Sequence, residues 1–147
     1  MRRDLRQPCP PPQWPHASRL LEFNPELAPA VHQLLNLGCG HFPDYPSWFS
    51  AFTHDAEFDP SLCFVVADDQ GLIGVAQCWT SAFIRDLVIH PRARRQGLAR
   101  ALLHHAFTVF RLRGEACLDL KVLETNEPAR RLYETSGMGY VQRLATN

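Results

Sequence analysis

The second half of the chain switches between two kinds of hydrophobic periodicity, and this switching constrains the fold more than any other feature. Residues 83–89 read FIRDLVI and predict a strand, which His90-Pro91 ends because proline donates no hydrogen bond to a neighbouring strand. From Leu98 to about Arg113, apolar residues recur every three or four positions and predict a helix. Residues 116–123 alternate apolar with polar side chains, as a strand with one buried face does. This order predicts a parallel βαβ unit.

The segments before this unit predict an antiparallel meander. Residues 62–67 and 72–79 flank a turn that ends in Gly71 and predict a hairpin, to which 83–89 adds the third strand. Four further elements are predicted: strands at 18–23 and 139–144, a helix capped by Asn24 and stopped by Gly38, and a helix from Asn126 to Gly137. The predicted fold class is α/β with a mixed sheet, an antiparallel meander followed by a βαβ unit, with helices on both faces.

Composition limits the domain count and the kind of partner. The chain has 147 residues, 46% of them apolar, which suits one domain with its own core. Residues 1–17 are rich in proline and are expected to form a flexible tail before a single domain at 18–147. Lys+Arg and Asp+Glu are equal at 15 each, so no overall basic charge indicates nucleic acid or an anionic membrane.

Cellular location and metal content are also expected from composition. No apolar run is long enough to span a bilayer and the first residues do not read as a secretory signal, so a cytoplasmic protein is expected. Five cysteines without a close CxxC pair argue against a disulfide framework and against a zinc site. No metal is therefore expected.

The loop between the strand at 83–89 and the following helix has the features of an anion site. The first amides of a helix lack partners within the helix, and the positive end of the helix dipole lies there. Gly97 has no Cβ, so a phosphate can approach the main chain closely, and Arg94, Arg95 and Arg100 add positive charge. A solvated basic loop at an ordinary helix start explains the same residues equally well.

Two motifs in this half resemble those of the GCN5-related N-acetyltransferase (GNAT) family. The first is Leu87-Val88-Ile89-His90-Pro91 followed by Arg94-x-x-Gly97-x-Ala99, and it matches the family's strand and "[QR]-x-x-G-x-[GA]" loop. The second matches "N-x-x-A-x-x-[LF]-Y-x-x-x-G-[FM]" at Asn126, Ala129, Leu132, Tyr133, Gly137 and Met138. Both occur in the family's order, with one helix and one strand between them, and the resemblance covers about 62–140.

The resemblance implies acetyl-CoA as co-substrate. The amides of the loop would bind its pyrophosphate, and its pantetheine arm would run along one strand as an added strand does. This needs a local splay between the strands at 83–89 and 116–123. The implied binding residues are Leu87, Val88, Ile89, Arg94, Arg95, Gln96, Gly97, Leu98, Ala99, Arg100 and Asn126.

The same resemblance suggests the catalytic groups. Tyr133, near the sulfur by analogy, would protonate the leaving thiolate. Asp86 is preferred over Glu124 as the base, and His41, His54 or His90 are alternatives that would act through water.

The acceptor is expected to lie against the first half of the chain. Residues 37–60 are acidic and contain aromatic side chains that line an acceptor pocket, stack on a cation or simply pack: Phe42, Tyr45, Trp48, Phe49 and Phe52.

The expected function is direct transfer of an acetyl group from acetyl-CoA to a primary amine of a small molecule or a protein. The alternative is a non-catalytic acyl-CoA-binding sensor or regulatory module. A nucleic-acid binder is disfavoured by the neutral net charge. Few residues follow Gly139, so the family's final strand is expected to be short or missing. The sheet edge would then be open, and a homodimer is expected to cover it.

Overall fold

A computed structural model of the chain describes residues 1–39 and 42–141. Within these residues its strands and α-helices are, in chain order, β1 (Arg2–Asp4), β2 (Arg19–Glu22), α1 (Ala28–Cys39), α2 (Tyr45–His54), β3 (Cys63–Asp68), β4 (Gly71–Trp79), β5 (Phe83–Ile89), α3 (Leu98–Leu112), β6 (Cys117–Leu120), α4 (Glu127–Thr135) and β7 (Met138–Gly139).

One mixed sheet runs through the molecule in the order β2-β3-β4-β5-β6-β1-β7. Strands β3 to β5 form the antiparallel meander that the sequence predicts, β2 adds a fourth antiparallel strand beside β3, and β5 pairs with β6 in parallel. The helix that connects β5 to β6 is α3, so the predicted βαβ unit is confirmed.

Helices cover both faces of the sheet, and each face has its own apolar cluster. On one face, α3 contributes Leu98, Leu102, Ala106, Phe107 and Phe110, which are fully or almost fully buried. On the other face α1 and α2 contribute a second cluster: Ala28, Val31, Leu34, Leu35, Trp48 and Phe52. The periodicity predicted α3 well, but its last residue, Leu112, is 82% exposed because it lies beyond the turn that contacts the sheet.

Gly38 does not stop α1, as the sequence suggested, but lies inside the helix one residue before its end. A Cβ built at Gly38 would lie 2.6 Å from Cγ1 of Val88 on β5. This glycine therefore allows α1 to pack directly on β5. Its role is close approach between two elements and not helix termination.

The N-terminal segment also differs from the expectation of a free tail that ends at residue 17. Residues 2–4 form β1, which lies between β6 and β7 and is antiparallel to both. Leu5 is 1% exposed within the α3-side cluster, and Arg2 forms a two-bond ion pair with Asp119 on β6. The prolines lie at positions 8–15, after this strand, so they do not prevent it. They dominate the composition of the segment, however, and three strand residues carry too little pattern to be recognised beside them.

Strand β1 changes the expectation about the open sheet edge. The final strand predicted at 139–144 is observed only as the two residues of β7, and residues 142–144 lie outside the described part of the chain. The free side of β6 is occupied by β1 and not by a second subunit. Within the described residues the short β7 is the end strand on this side of the sheet, and the homodimer stays a prediction.

None of the helices within 1–39 and 42–141 is both long and apolar enough to cross a membrane.

Candidate active site

Strands β5 and β6 separate soon after they meet. Their pairing is limited to Phe83 with Asp119 and Ile84 with Leu120, near the start of β5. On its other side β5 stays paired with β4 as far as Ile89, which faces Gly74. The main chain of 85–89 therefore borders an opening in the sheet, at the carboxyl ends of two parallel strands, which is where α/β folds commonly bind ligands. This opening is the splay that the sequence analysis required.

The loop after β5 leads from this opening to the start of α3. A 3₁₀ turn, Pro91–Ala93, is capped by the His90 ring, whose Nδ1 accepts a hydrogen bond from the Arg92 amide at 3.2 Å. Arg95 and Gly97 then adopt left-handed backbone conformations, with φ of 64° and 81°. Such a conformation is uncommon for arginine, and strained backbone of this kind clusters at ligand sites. Residue pattern alone predicted the glycine but not the strained arginine.

The amino end of α3 offers main-chain donors without a side-chain cap. Gly97 occupies the capping position, where it makes no side-chain cap bond, and its carbonyl accepts the first helical hydrogen bond, from Ala101 at 3.0 Å. The amides of Leu98, Ala99 and Arg100 therefore precede the regular helical pattern. No atom within 4 Å would oppose a Cβ at Gly97, so the space in front of this residue is open. This geometry suits a phosphate group.

The four arginines of the loop region divide into two engaged and two exposed side chains. Arg92 forms a two-bond ion pair with Asp68, and this hydrogen bonding lowers the pKa of Asp68 to about 2. Arg100 donates to the hydroxyls of Thr135 at 2.9 Å and Ser136 at 3.1 Å, which ties α3 to α4. The side chains of Arg94 and Arg95 are exposed beside the loop. Arg94 and Arg95 therefore supply the local positive charge.

A cleft of about 390 Å³ joins this loop to α4. Its lining residues come from the end of β5, the loop, the first turn of α3 and the first two turns of α4: Ile89, Ala93, Arg94, Arg95, Gly97, Leu98, Ala99, Arg100, Pro128 and Leu132. Both family-like motifs thus contribute to one cleft. Asn126 caps α4 at its edge, with its side-chain oxygen accepting from the Ala129 amide at 3.3 Å.

Asp86 lies beside the opening, and its carboxylate is largely buried. Its side chain is 13% exposed, and Arg85 lies 3.8 Å away. Burial raises the pKa of Asp86, and the nearby Arg85 charge only partly opposes this. A raised pKa brings a carboxylate closer to the proton affinity that a base needs near neutral pH. Asp86 also directly faces Gln77 across the β4–β5 pair.

Glu124 has a different environment from Asp86. It is exposed in the connection between β6 and α4, and its main-chain carbonyl accepts a hydrogen bond from Arg130 at 2.9 Å. The structure thus places Asp86 on the opening and Glu124 on the rim near α4. Among the histidine alternatives, His54 Nδ1 bonds to the carbonyl of Ser50 and His41 lies outside the described residues.

Tyr133 lies on α4 and packs against the α3-side cluster, as does Leu87 of β5. Burial raises the pKa of Tyr133, so the phenol keeps its proton at neutral pH. A general acid needs this protonated state. Asp86 lies on the opposite face of the sheet from Tyr133, the α1–α2 face, where the register places it in one row with Gln77 and Cys63.

The aromatic side chains of residues 42–58 pack against one another. Rings of neighbouring residues contact at centroid distances of 4.6–5.6 Å, including Trp48 with Phe52, Phe52 with Phe58 and Tyr45 with Phe49. Trp48 and Phe52 are buried in the α1–α2 cluster. Of the three roles that the sequence left open, packing is the one observed for these rings.

Gln77 is a buried polar residue next to Asp86 in the register that the sequence pattern did not single out. It is 2% exposed in the middle of β4, and within the described residues its Oε1 atom has no hydrogen-bond partner. The signal was present in the sequence, since Gln77 interrupts the apolar run LIGVAQCW. A polar residue at a buried position of a central strand needs an explanation.

These features define the acetyltransferase fold, and sequence comparison assigns the family. The sequence profile of the acetyltransferase (GNAT) family matches residues 3–140, so the chain belongs to this family. Among curated relatives, the mycothiol acetyltransferase of Beutenbergia cavernae is 33% identical over 136 residues, which cover 84% of this chain and 46% of that protein. The chain therefore spans about half the length of the curated relatives it matches.

Solved structures agree on the fold. A GCN5-related N-acetyltransferase from Sphaerobacter thermophilus superposes with a TM-score of 0.82 at 28% identity, covering 94% of this chain and 46% of that one. An aminoglycoside N-acetyltransferase in complex with CoA has a TM-score of 0.73 at 14% identity, covering 92% and 96%. The second likeness shows the fold alone.

The part of the chain that the structure describes contains no group of three or more histidine, cysteine, aspartate or glutamate side chains that would hold a metal ion.

Proposed function

We propose that this chain binds acetyl-CoA in the cleft and transfers the acetyl group directly to a primary amine of a small molecule or a protein. The observation that carries the proposal is the opening between β5 and β6, because it leads straight to the loop with left-handed Arg95 and Gly97. An opening beside a free strand edge suits an extended chain with amide groups, and the loop suits a phosphate.

The residues present fit the co-substrate. Main-chain amides from Arg95 to Arg100, with the exposed arginines Arg94 and Arg95, would hold the pyrophosphate, and Gln96 lies on the same exposed loop. The free edge of Leu87–Ile89 would hold the pantetheine arm, with Asn126 at the other rim of the cleft. These are the residues that the family resemblance indicated.

Acetyl-CoA supplies the acetyl group as a thioester, so the new N–C bond forms as the C–S bond breaks. Asp86, as carboxylate, takes one proton from the acceptor ammonium and leaves a neutral amine. The amide of Leu87 or Val88 donates to the oxygen on which negative charge develops. Tyr133 gives its phenol proton to the departing sulfur and regains one from the acylated nitrogen, which leaves the neutral amide, and Asp86 then releases its proton to solvent.

The positions of the two groups support this division of roles. Asp86 is on the α1–α2 face of the sheet and Tyr133 packs against the α3-side cluster, so the proposed base and acid lie on opposite faces. An acceptor that enters from one side and a leaving sulfur on the other give an in-line arrangement. Glu124, exposed on the rim, is the second candidate for the base.

Turnover is tested by free-thiol release from acetyl-CoA with a panel of primary amines. Small thiol-bearing amines come first, because the relatives are named mycothiol acetyltransferases, and for these the acetylated product is measured by mass spectrometry, since their own thiol would mask the release of CoA. Tyr133→Phe should lower kcat by roughly a hundredfold or more, since positioned acid catalysis contributes on that order. Binding of acetyl-CoA without turnover for any acceptor would instead support the non-catalytic sensor.

Cofactor binding is tested by calorimetry with CoA on Gly97→Ala and on Gly114→Ala. Both glycines have positive φ, of 81° and 86°, and neither has an atom within 4 Å of a built Cβ. The two substitutions therefore carry similar backbone strain, of about 1 kcal/mol, but Gly114 lies at the far end of α3. Gly97→Ala should weaken CoA binding at least roughly tenfold, and Gly114→Ala should leave it unchanged. Equal effects would contradict the site.

A further inference from the structure

Gln77 presents a buried polar atom that the fold alone does not explain. The residue is 2% exposed, and its Oε1 has no hydrogen-bond partner among the described residues. Leaving a buried acceptor unpaired carries a free-energy cost. An apolar side chain of the same size would avoid that cost. The presence of the oxygen is explained if a hydrogen-bond donor reaches it in one state of the protein.

The sheet places Gln77 in the centre of a short polar row. In the register, Cys63 on β3 faces Gln77 on β4, and Gln77 faces Asp86 on β5. Directly opposed side chains point to the same face with Cβ atoms about 4.5–5.5 Å apart. Asp86 also influences Cys63, helping to raise the pKa of that thiol to about 12 mainly through burial. Gln77 therefore lies between the thiol-bearing Cys63 on one side and the carboxyl-bearing Asp86 on the other.

Asp86 changes from an acceptor to a donor when it takes up a proton. A carboxylate offers only lone pairs, whereas a carboxylic acid has one O–H. Gln77 Oε1, a buried acceptor without a partner in the described part of the chain, belongs to the residue directly opposite Asp86 in the register. The row thus contains an oxygen that stays unpaired while Asp86 is charged and becomes paired when Asp86 is neutral.

We propose that Gln77 is a positioning residue whose side-chain oxygen receives the hydrogen bond of protonated Asp86 and so stabilises the base after it has taken the proton of the acceptor amine. The inference rests on the proposed function through the role of Asp86. It assigns to Gln77 no contact with either substrate.

Within the described residues, few other charged or titratable groups face this pair. Arg85 is on the same strand at 3.8 Å, and Cys63 and Cys78 belong to β3 and β4. The helices on this face carry His32 on α1, and Tyr45 and His54 on α2. His32 is bonded to the carbonyl of Pro43 and His54 to that of Ser50. The Arg85 charge disfavours the protonated form of Asp86. Gln77 is therefore the residue proposed to stabilise that form, by accepting its hydrogen bond.

The test is Gln77→Met, which keeps the size of the side chain and removes both amide atoms. The Asp86 carboxyl is titrated by ¹³C NMR, with Asp86→Asn to assign the signal. The pKa of Asp86 should fall, because the protonated form loses its acceptor. The acid limb of the kcat/KM profile should move to lower pH, and kcat should fall roughly tenfold with KM little changed.

Three results would overturn the inference. An unchanged pKa of Asp86 shows that the amide is not coupled to it, and a higher pKa shows that the amide donates to the carboxylate. Val75→Ala, on the same strand and face, controls for loosened packing and should leave the pKa unchanged; a matching fall there would also count against Gln77.

A second measurement needs no variant. In the wild-type protein, the side-chain amide signals of Gln77 should titrate with the same midpoint as Asp86, and signals that stay constant through that midpoint contradict the pair. Both NMR readouts are independent of turnover. Failure of the acetyl-transfer assay with an intact Gln77–Asp86 coupling would therefore refute the proposed function and leave the coupling standing.

Discussion

Asp86 shows how one residue can be unfavourable for folding and useful for chemistry. Its side chain is 13% exposed in a row whose other members are uncharged, and burial raises its pKa. Ionised Asp86 therefore lowers the stability of the folded chain, since the charged form loses hydration without a full counter-charge. The same burial makes it a stronger base than an exposed aspartate.

This conflict predicts that Asp86→Asn stabilises the protein while reducing acetyl transfer. The folded state binds the Asp86 proton more tightly than the unfolded state, so wild-type stability falls as the pH rises from the unfolded pKa, about 3.9, through the raised folded pKa. Above that window the Asp86→Asn variant lacks the penalty and should unfold at a higher temperature than wild type. At lower pH the difference should disappear. Thermal unfolding monitored from about pH 3 to about pH 8 measures it.

Asp68→Asn provides a control of opposite sign. Hydrogen bonding from Arg92 lowers the pKa of Asp68 to about 2, so Asp68 stabilises the fold above the unfolded pKa and loses this effect as the pH falls towards 2. Asp68→Asn should therefore be slightly destabilising at neutral pH, in keeping with an exposed ion pair. If both variants changed stability in the same direction, burial would not be the cause for Asp86.

The contact between α1 and β5 connects packing with the shape of the opening. Gly38 on α1 approaches Val88 closely, and Val88 belongs to the strand whose far edge is unpaired. Any larger residue at 38 must push the helix from the strand or turn the valine. The position of β5, and so of its free edge, depends on the absence of one methyl group.

Gly38→Ala should reverse its effect on stability when Val88 is shortened. In the wild-type background, overpacking costs about 1–3 kcal/mol, which exceeds the helix-propensity gain of about 1 kcal/mol. In a Val88→Ala background the contacts at 2.6 and 2.7 Å are removed and only the Cβ contact at 3.2 Å remains, so Gly38→Ala should stabilise by at most about that gain. Chemical denaturation of the four proteins of this cycle gives the coupling energy. Equal effects in both backgrounds would mean that α1 does not need the close approach.

The sheet includes an N-terminal strand, β1, that pairs with two strands from the C-terminal part of the chain. Strand β1 lies between β6 and β7, and Leu5, directly after it, is buried in the α3-side cluster. Two of the closing contacts join positions more than a hundred residues apart, Arg2 with Asp119 and Met1 with Leu120. The segment before residue 18 is therefore part of the folded domain.

Leu5→Ala should destabilise the protein by about 2–5 kcal/mol, as truncation of a buried leucine does. Leu112→Ala makes the same chemical change at a position that is 82% exposed, and it should stay within about 0.5 kcal/mol of wild type. Urea unfolding of both variants provides the comparison. A small effect at Leu5 would indicate that β1 contributes little to the cohesion of the sheet.

Local patterns were sufficient for much of the fold and for the loop proposed to bind phosphate. The hairpin of β3 and β4, the long helix α3 and the parallel pairing of β5 with β6 follow from periodicity and from the order strand, helix, strand. Gly97 and the arginines around it follow from the physics of a helix start. Each of these features depends on residues that are neighbours in the chain, so their pattern is legible without coordinates.

Contacts between distant segments were beyond such patterns. Three residues at the N-terminus carry too little periodicity to predict a strand between β6 and β7, and Gly38 looks the same whether it ends a helix or admits a valine. Gln77 and Asp86 become a pair only when β4 and β5 align, because the register that joins them is set by the packing of both sheet faces. Residue order thus predicts the elements and the candidate phosphate loop, whereas only the folded sheet brings Gln77 next to Asp86, the proposed base.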